Sequence, residues 1–251
     1  MSQPDSEPKQ PDDERVVALH RATITGVDFR RARFDKFSLG GCLFDRCDFR
    51  GLRLDRRLAP LFAALPRSVF RDCSFDGADL RRAVLGQSRF ERCTFDDACI
   101  DGSDAESAEF VDCRFAGKLV GVTFTGRPAG PGSTRIEPVR SKNEFRGNDF
   151  RDAQLIDTVF VFGVDLDQQR WPVDDGYVRL DKFPRRLEAA RSDVLGWDAG
   201  DTRTDALAML QGLAQRWQDQ RDVIALRVSP AVKAAPRVQS RVWDALEHAR
   251  V

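Results

Sequence analysis

An uncharged residue recurs at every fifth position through most of the first two thirds of the chain. Steps of five from Leu19 and Phe70 give two long grids, the second of which slips by one residue after Phe115 to Leu119 and Phe124, and a shorter one begins at Phe145. The grid residues are Leu19, Ile24, Phe29, Phe34, Leu39, Phe44, Phe49, Leu54, Phe70, Phe75, Leu80, Leu85, Phe90, Phe95, Ile100, Ala105, Phe110, Phe115, Leu119, Phe124, Phe145, Phe150, Leu155 and Phe160. Helices repeat every 3.6 residues and strands every two, so neither explains the pattern, and the chain must turn a corner at each repeat.

A second row of residues supports the same geometry. The residue two places before a grid position is usually small, as at Ala22, Cys73 and Ala108, and the other places are mostly Asp, Arg, Glu or Gly. Each side of a coil with regular corners would then point one large and one small residue inward. None of the grid residues is charged, although 32% of the chain is, which chance would produce about once in ten thousand sequences.

The stretch FRDCSFDGADLRRAVLGQSRFERCTFDDACIDGS, residues 70–103, resembles the pentapeptide-repeat family. Proteins of that family repeat a small residue, a polar residue, Leu or Phe, and two polar or small residues. The resemblance covers a little under half of the chain. It implies a mainly β fold, a right-handed quadrilateral parallel β-helix with four pentapeptides per coil and about six coils. It implies little about function, because one fold serves many functions.

The composition predicts three regions and two insertions. A polar, Pro-rich tail without a signal sequence indicates a disordered start, and no apolar run is long enough to span a membrane. We therefore expect a cytoplasmic protein with reduced thiols. The expected regions are a disordered tail at 1–16, a β-solenoid at 17–162 with insertions at 55–67 and 125–143, and a capping segment with an α-helical C-terminal region at 163–251.

Stacking of four pentapeptides per coil places residue n beside residue n+20, at the spacing of neighbouring strands. The resulting internal columns are Phe70, Phe90 and Phe110; Phe75, Phe95 and Phe115; and Cys73, Cys93 and Cys113. The cysteine column could be a metal or redox site, or the thiols could serve as small apolar fillers. Parallel side chains do not converge tetrahedrally on a zinc ion, so we interpret the column as structural and expect no metal or cofactor.

The charged residues outside the core suggest two kinds of surface. Acidic residues gather on one side, including Asp76, Asp96 and Asp97, either as an ordinary solvated face or as a contact surface. Elsewhere acids and arginines alternate between neighbouring coils, as at Asp72 and Arg92. Such ladders neutralise each other and contribute little individually to stability at a surface.

The two insertions leave the five-residue grid and are candidate contact elements. The first contains Leu58, Leu61, Phe62 and Leu65 and is interpreted as a short amphipathic turn, which either packs on the solenoid wall or projects to a partner. The second is rich in Gly and Pro and carries Arg127, Arg135 and Arg140. Loops of this length are usually functional or disordered.

After Phe162 the rhythm stops. A segment with Trp171, Tyr177 and Phe183 is expected to cap the open end of the solenoid, because an uncovered coil invites edge pairing. Apolar residues at helical spacing then predict four helices. They are expected over 184–197, 204–219, from about 221, and over 237–250.

Catalytic chemistry has little basis in this sequence. His20 and His248 are the two histidines, and we find no nucleophile, dinucleotide or metalloprotease motif. Lys plus Arg and Asp plus Glu are equal at 40 each, which argues against direct nucleic-acid binding and against binding to an anionic membrane. The primary hypothesis is therefore a non-catalytic scaffold that engages a protein partner through solenoid faces, loops and helical tail.

Two alternatives remain open. With its two insertions and acidic patch, the chain resembles the quinolone-resistance type of pentapeptide-repeat protein, whose members mimic DNA and protect DNA gyrase or topoisomerase from quinolone poisons. The zero net charge and the long tail depart from that type. The second alternative is an adaptor or immunity-type protein whose specificity lies in residues 165–251.

Overall fold

The computed structural model describes residues 16–32, 36–53, 61–64, 66–81, 83, 85–101, 105, 107–128 and 140–251. Within these residues the first part of the chain forms short parallel strands, and the last part forms three α-helices and an antiparallel strand pair. We call the parallel-strand part, up to residue 162, the solenoid, and the stretch of chain from one strand to its next parallel partner a coil.

The largest sheet has six parallel strands, one from each successive coil. Its order is β2, β4, β6, β7, β9, β12. Their bounds are Thr23–Thr25, Leu43–Asp45, Val69–Arg71, Arg89–Glu91, Glu109–Val111 and Phe145–Arg146. Phe70 pairs with Phe90 and Phe90 with Phe110, so each regular coil advances the register by four pentapeptides, as the grid predicts.

Three other columns of parallel partners run beside this sheet. Their strands are β1 (Val16–His20), β3 (Lys36–Gly40), β5 (Leu61–Ala64), β8 (Thr94–Asp96), β10 (Arg114–Val120), β11 (Thr123–Thr125), β13 (Asp149–Ile156) and β14 (Val159–Val161). β1, β3 and β5 form one sheet, β8, β10 and β13 another, and β11 pairs with β14. Isolated parallel bridges between single residues, such as that between Asp79 and Cys99, continue the pairing of neighbouring coils outside these strands.

The insertions lengthen two coils without breaking the six-stranded sheet. Phe44 pairs with Phe70 across the first insertion, and Phe110 pairs with Phe145 across the second. Both steps along the chain are longer than the four pentapeptides of a regular coil, and the second is the longer of the two. The expected amphipathic turn is wrong in part, because Leu61–Ala64 is strand β5, paired in parallel with β3. Its backbone pairs with the free edge of β3 in the preceding coil.

Phenylalanine rings fill the interior in two continuous columns. Phe70 and Phe90 stack with ring centroids 5.0 Å apart, and Phe75 and Phe95 stack at 5.1 Å. The columns meet edge to face, with Phe75 at 78° to Phe90. The residues predicted for these columns are almost fully buried, namely Phe70, Phe90, Phe110, Phe75, Phe95 and Phe115.

The cysteine column has a role in hydrogen bonding as well as in packing. The Cys73 thiol donates to the carbonyl of Phe44 at 3.5 Å, and the Cys93 thiol donates to that of Phe70 at 3.4 Å. Cys113 donates in the same way to Phe90 at 3.4 Å. Each thiol thus bonds to the preceding coil, which a plain apolar filler would not do.

The last coil is covered by an aromatic ring and by the C-terminal region. The Trp171 indole stacks on Phe150 at 5.1 Å and donates its N–H to the Leu166 carbonyl at 2.8 Å. The Tyr177 hydroxyl accepts from the backbone N–H of Leu155 at 3.0 Å. Phe183, which the sequence assigned to the same cap, instead begins the first helix and packs edge to face on Trp217.

The C-terminal region contains three helices and two strands. The helices are α1 (Phe183–Leu195), α2 (Asp201–Arg216) and α3 (Pro236–Glu247). The expected third helix from residue 221 is wrong, because Val223–Leu226 forms strand β16, antiparallel to β15 (Tyr177–Leu180). Four consecutive apolar residues are compatible with a short buried strand as well as with a helix turn. Here they form a strand because the edge of β15 is free to pair with them.

The helices share a core with the outer side of the solenoid. Trp217 and Trp243 are buried with their rings 6.3 Å apart, and the outward side chains Val159 and Val161 join the same cluster. Among the described residues, no helix has the length and apolar character needed to cross a membrane.

Candidate partner-binding surfaces

A buried carboxylate lies where both insertions return to the six-stranded sheet. Glu109, in β9, is 3% exposed, and its Oε2 accepts hydrogen bonds from Arg67 at 2.5 Å and from Arg89 at 3.3 Å. Its Oε1 lies 3.2 Å from Nε of Arg140 and accepts from the backbone N–H of Glu144 at 2.9 Å. Three guanidinium groups therefore share one carboxylate that has almost no access to water.

The two insertions reach this cluster from different parts of the chain. Arg67 closes the first insertion and lies just before β6, whereas Arg140 lies near the end of the second and shortly before β12. Because β6 and β12 belong to one sheet, both insertions re-enter the solenoid on the same side. The sequence marks these segments as departures from the grid but does not reveal that their ends meet.

Further hydrogen bonds fix Arg140 and the residues around it. Arg140 donates to the Asn143 side chain at 3.1 Å and to the Ser107 carbonyl. Asn143 in turn donates to the Thr125 carbonyl at 3.0 Å, which joins the two ends of the second insertion. Arg140, predicted as a partner contact, is thus engaged within the chain, and its side chain is 12% exposed.

In this cluster, burial and ion pairing shift the pKa values of the charged groups in opposite directions. Burial lowers the pKa of Arg140, and Glu109 counteracts this. For Arg89, burial also favours the neutral form, but hydrogen bonds to Glu144 and Glu91 prevail and raise the pKa. The hydrogen bond from Arg89 lowers the pKa of Glu144. The shifts of Arg89 and Glu144 thus favour their charged forms.

The other predicted insertion residues are placed as follows. Leu58, Leu65 and Arg135 lie outside the described residues. Leu61 and Phe62 belong to β5. These residues remain candidate contacts.

Arg127 lies near the start of the second insertion, and its side chain contacts the C-terminal region. Its guanidinium lies 4.7 Å above the Phe162 ring and 3.0 Å from the Asp219 carboxylate. Half of its side chain stays exposed. The contact links the second insertion to the turn that follows α2.

The predicted acidic residues do lie near one another. Asp76 accepts from the backbone N–H of Asp96 at 2.9 Å, and Asp97 occupies the left-handed region with φ 52°. Arg114 lies 3.1 Å from Asp96 and 3.2 Å from Asp152, so a cation sits within this group. Burial raises the pKa of Asp96, whose Oδ1 has no hydrogen-bond partner among the described residues.

Most other acids on the solenoid are neutralised by a neighbouring arginine. An Asp, then Phe or Leu, then Arg recurs at 28–30, 48–50, 79–81 and 149–151, and in each the two outer side chains form an ion pair at 2.6 Å. Arg92 pairs with Asp72 on the preceding coil at 2.7 Å. The described surface therefore carries mixed ladders and not a continuous acidic stripe.

An open groove separates α2 from the outer side of β14. Its volume is about 870 Å³, and Val159, Val161, Met209 and Leu213 contribute apolar walls. No sequence pattern predicted this groove, because it is formed where the C-terminal region packs against the solenoid. A signal was present, since Val159 and Val161 occupy outward positions that are polar in most other repeats.

The described residues contain no group of three or more His, Cys, Asp or Glu side chains that could hold a metal ion. His20 ends β1 in the first coil, and His248 follows α3 at the other end of the chain. Cys99 is exposed, and the other five cysteines are buried. The buried thiols thus belong to the core described above.

Comparison with sequence families agrees with this architecture. The family model for pentapeptide repeats matches eight copies, over residues 17–56 and 73–110. No curated protein sequence matches significantly. Among solved structures, the chain is similar to a trypsin-treated variant of QnrB1, a plasmid-mediated fluoroquinolone resistance protein, with 15% identity, 76% of this chain and 96% of that chain covered, and a TM-score of 0.24.

Proposed function

We propose that this chain, which carries eight pentapeptide repeats, is a non-catalytic scaffold that binds a protein partner. In this proposal residues 17–162 form a right-handed, four-sided solenoid of about six coils, capped and extended by residues 163–251. Columns of parallel partners four pentapeptides apart support that description. We place the protein in the cytoplasm, where its free thiols would stay reduced.

The observation that carries the proposal is the meeting of both insertions at Glu109. Charged side chains elsewhere on the solenoid are largely used in ladders between and within coils, which leaves the insertions as the distinctive elements. Insertions held on a rigid scaffold are a common way to present contact residues. Arg127, Arg135 and the leucines of the first insertion are our candidate contacts.

Affinity capture from extracts of the source cells, with chemical cross-linking, tests this proposal. One variant replaces residues 129–139 by a Gly/Ser segment of equal length and changes Leu58 and Leu65 to Ser. We expect it to lose the partners of the intact chain while melting at nearly the same temperature. A Val173→Ser control, at a residue 97% exposed in the capping segment, should keep them. If the loop variant retains every partner, the insertions are not the contact surface.

Protection of DNA gyrase is the second candidate function. The observation in its favour is the group of Asp76, Asp96 and Asp97, with a carboxylate oxygen of Asp96 left unpaired among the described residues. Arg114 within the group and the mixed ladders around it weigh against mimicry of a DNA duplex.

A supercoiling assay with gyrase and a fluoroquinolone separates the two candidates. The scaffold proposal expects no protection at any concentration of the protein. Protection that is lost in Asp76→Asn, Asp97→Asn protein, but kept in an Asp174→Asn control, would favour the gyrase candidate instead.

A further inference from the structure

We infer that Glu109 is a positioning residue that couples the two insertions, so that they are presented to a partner as one unit. This inference rests on the proposed function, since it concerns how the contact elements are held. Arg67 and Arg140, from the two insertions, both contact the Glu109 carboxylate. They are far apart in sequence, and this one side chain joins them directly.

Burial makes the contact strong and mutual. An ionised carboxylate with 3% exposure is strongly unfavourable unless cations and hydrogen-bond donors offset its lost hydration. Arg67, Arg89 and Arg140 provide the cations, and the Glu144 N–H provides a further donor. Removing any one donor weakens the offset for the whole group, so a change at one insertion is felt by the other.

The geometry also separates positioning from direct contact. Glu109 is too buried to touch a partner, whereas the Arg67 side chain is 38% exposed. Arg67 makes no other ion pair with the described residues. Loss of partner binding on removal of the Glu109 charge would therefore report the placement of the insertions.

Hydrogen exchange on the full chain tests the coupling without any partner. The amide of Val69, which donates to Cys42, reports the end of the first insertion, and that of Asn143, which donates to Gly126, reports the end of the second. We expect Glu109→Gln to speed exchange at both sites by about tenfold or more, because charged hydrogen bonds are lost at each. Asp72→Asn, which removes an exposed ion pair, should change neither site by more than about twofold.

A second variant keeps the test decisive if Glu109→Gln folds poorly. Arg67→Ala alters a partly exposed side chain, and we expect it to speed exchange at Asn143 as well as at Val69. In a Glu109→Gln background, Arg67→Ala should add less than about twofold at Asn143. The coupling would be overturned if exchange became faster at only one of the two amides, or at neither. It would also be overturned if the effects of the two substitutions simply added in the double variant.

Partner capture then distinguishes the inference from the function on which it rests. If the loop variant loses its partners and folded Glu109→Gln protein keeps them all, the insertions bind but Glu109 does not position them. If the loop variant itself keeps every partner, the proposed function fails, whatever the exchange data show. We expect folded Glu109→Gln protein to bind the partner at least about tenfold more weakly than the intact chain does.

Discussion

At the scale of single residues, a short charged unit recurs at four places in the solenoid. In the Asp–Phe–Arg sequence at 28–30, the Asp28 side chain accepts from the backbone N–H of Arg30 at 2.9 Å and pairs with its guanidinium. The Phe between them points inward. One tripeptide thus supplies a core side chain, a capped turn and a neutral surface.

This unit predicts a measurable pKa. The side-chain hydrogen bond from Arg30 lowers the pKa of Asp28 from 3.8 to about 2. Because the folded-state pKa lies below the unfolded value, the stabilisation is complete above about pH 4 and is lost as the pH falls through 2. Carbon-detected NMR titration should give a pKa near 2, and Arg30→Gln should return it toward 3.8. An unchanged pKa in the variant would show that the ion pair is not formed in solution.

Thiol reactivity should single out one cysteine. The hydrogen bond that the Cys73 thiol donates to Cys93 and burial both raise the pKa of Cys73, and burial raises that of Cys93. Cys99 is exposed. In native protein we therefore expect a thiol reagent to label one of the six cysteines quickly. Cys99→Ser should abolish the fast phase, and Cys73→Ser should leave it intact. Several fast-reacting thiols would mean that the core column opens readily.

At the scale of elements, the stacked rings and the strands reinforce one another. The strands advance by one coil every four pentapeptides, and this spacing places Phe90 between Phe70 and Phe110, with ring centroids 5.0 Å and 5.1 Å away. Parallel pairing alone would hold short strands weakly. The continuous aromatic core explains how such short strands persist through the solenoid.

Truncating a ring in the middle of the column should be costly. We expect Phe90→Ala to lower the free energy of unfolding by about 3–5 kcal/mol, through lost burial and the cavity left behind. Phe29→Ala, at a partly buried position in the first described coil, should cost clearly less. Urea unfolding followed by circular dichroism measures both. If both variants lost the same free energy of unfolding, the rings in the middle of the column would not be more tightly packed than the ring in the first described coil.

The elements also show where sequence patterns mislead. Leu61–Ala64 within the first insertion and the run Val223–Leu226 were both assigned away from strands, and both form strands. In each case an existing strand, β3 or β15, offers a free edge. Short apolar runs take the structure that their neighbours complete, so tertiary contacts override local periodicity.

At the scale of the whole molecule, a buried amide joins the solenoid to the tail. Gln220 is 2% exposed; its side chain accepts from the Gly163 N–H at 2.9 Å and donates to the Val164 carbonyl at 2.8 Å. It also donates to the carbonyl of Asp222 within the tail. Arg216 adds an ion pair to Asp157 of the solenoid. The tail is therefore held by specific polar contacts as well as by the apolar cluster around Val159.

Loss of this amide should loosen the junction. Gln220→Ala leaves the buried Val164 carbonyl without its donor and removes the acceptor of the Gly163 N–H, and we expect a loss of about 1–3 kcal/mol in the free energy of unfolding. Exchange at the Gly163 amide should rise with it. Gln218→Ala, at an exposed position two residues earlier, should change stability by less than about 0.5 kcal/mol. A similar small effect for Gln220→Ala would mean that water replaces the lost bonds.

The sequence alone determined the repeating part of this protein. A period of five with apolar grid residues requires a coil of fixed perimeter, and it assigns Phe90, Cys93 and their column neighbours to the interior. Those assignments depend only on spacing, because each repeat is packed by copies of itself.

Only the tertiary structure decided what the non-repeating parts do. In the sequence Glu109 is one more acid beside a grid residue, yet in the structure Arg67 and Arg140, from the two insertions, both contact its carboxylate. The groove beside α2 and the amide link at Gln220 likewise arise from contacts between distant segments. A local pattern cannot encode such meetings, since they depend on where whole elements dock and not on the period of any one of them.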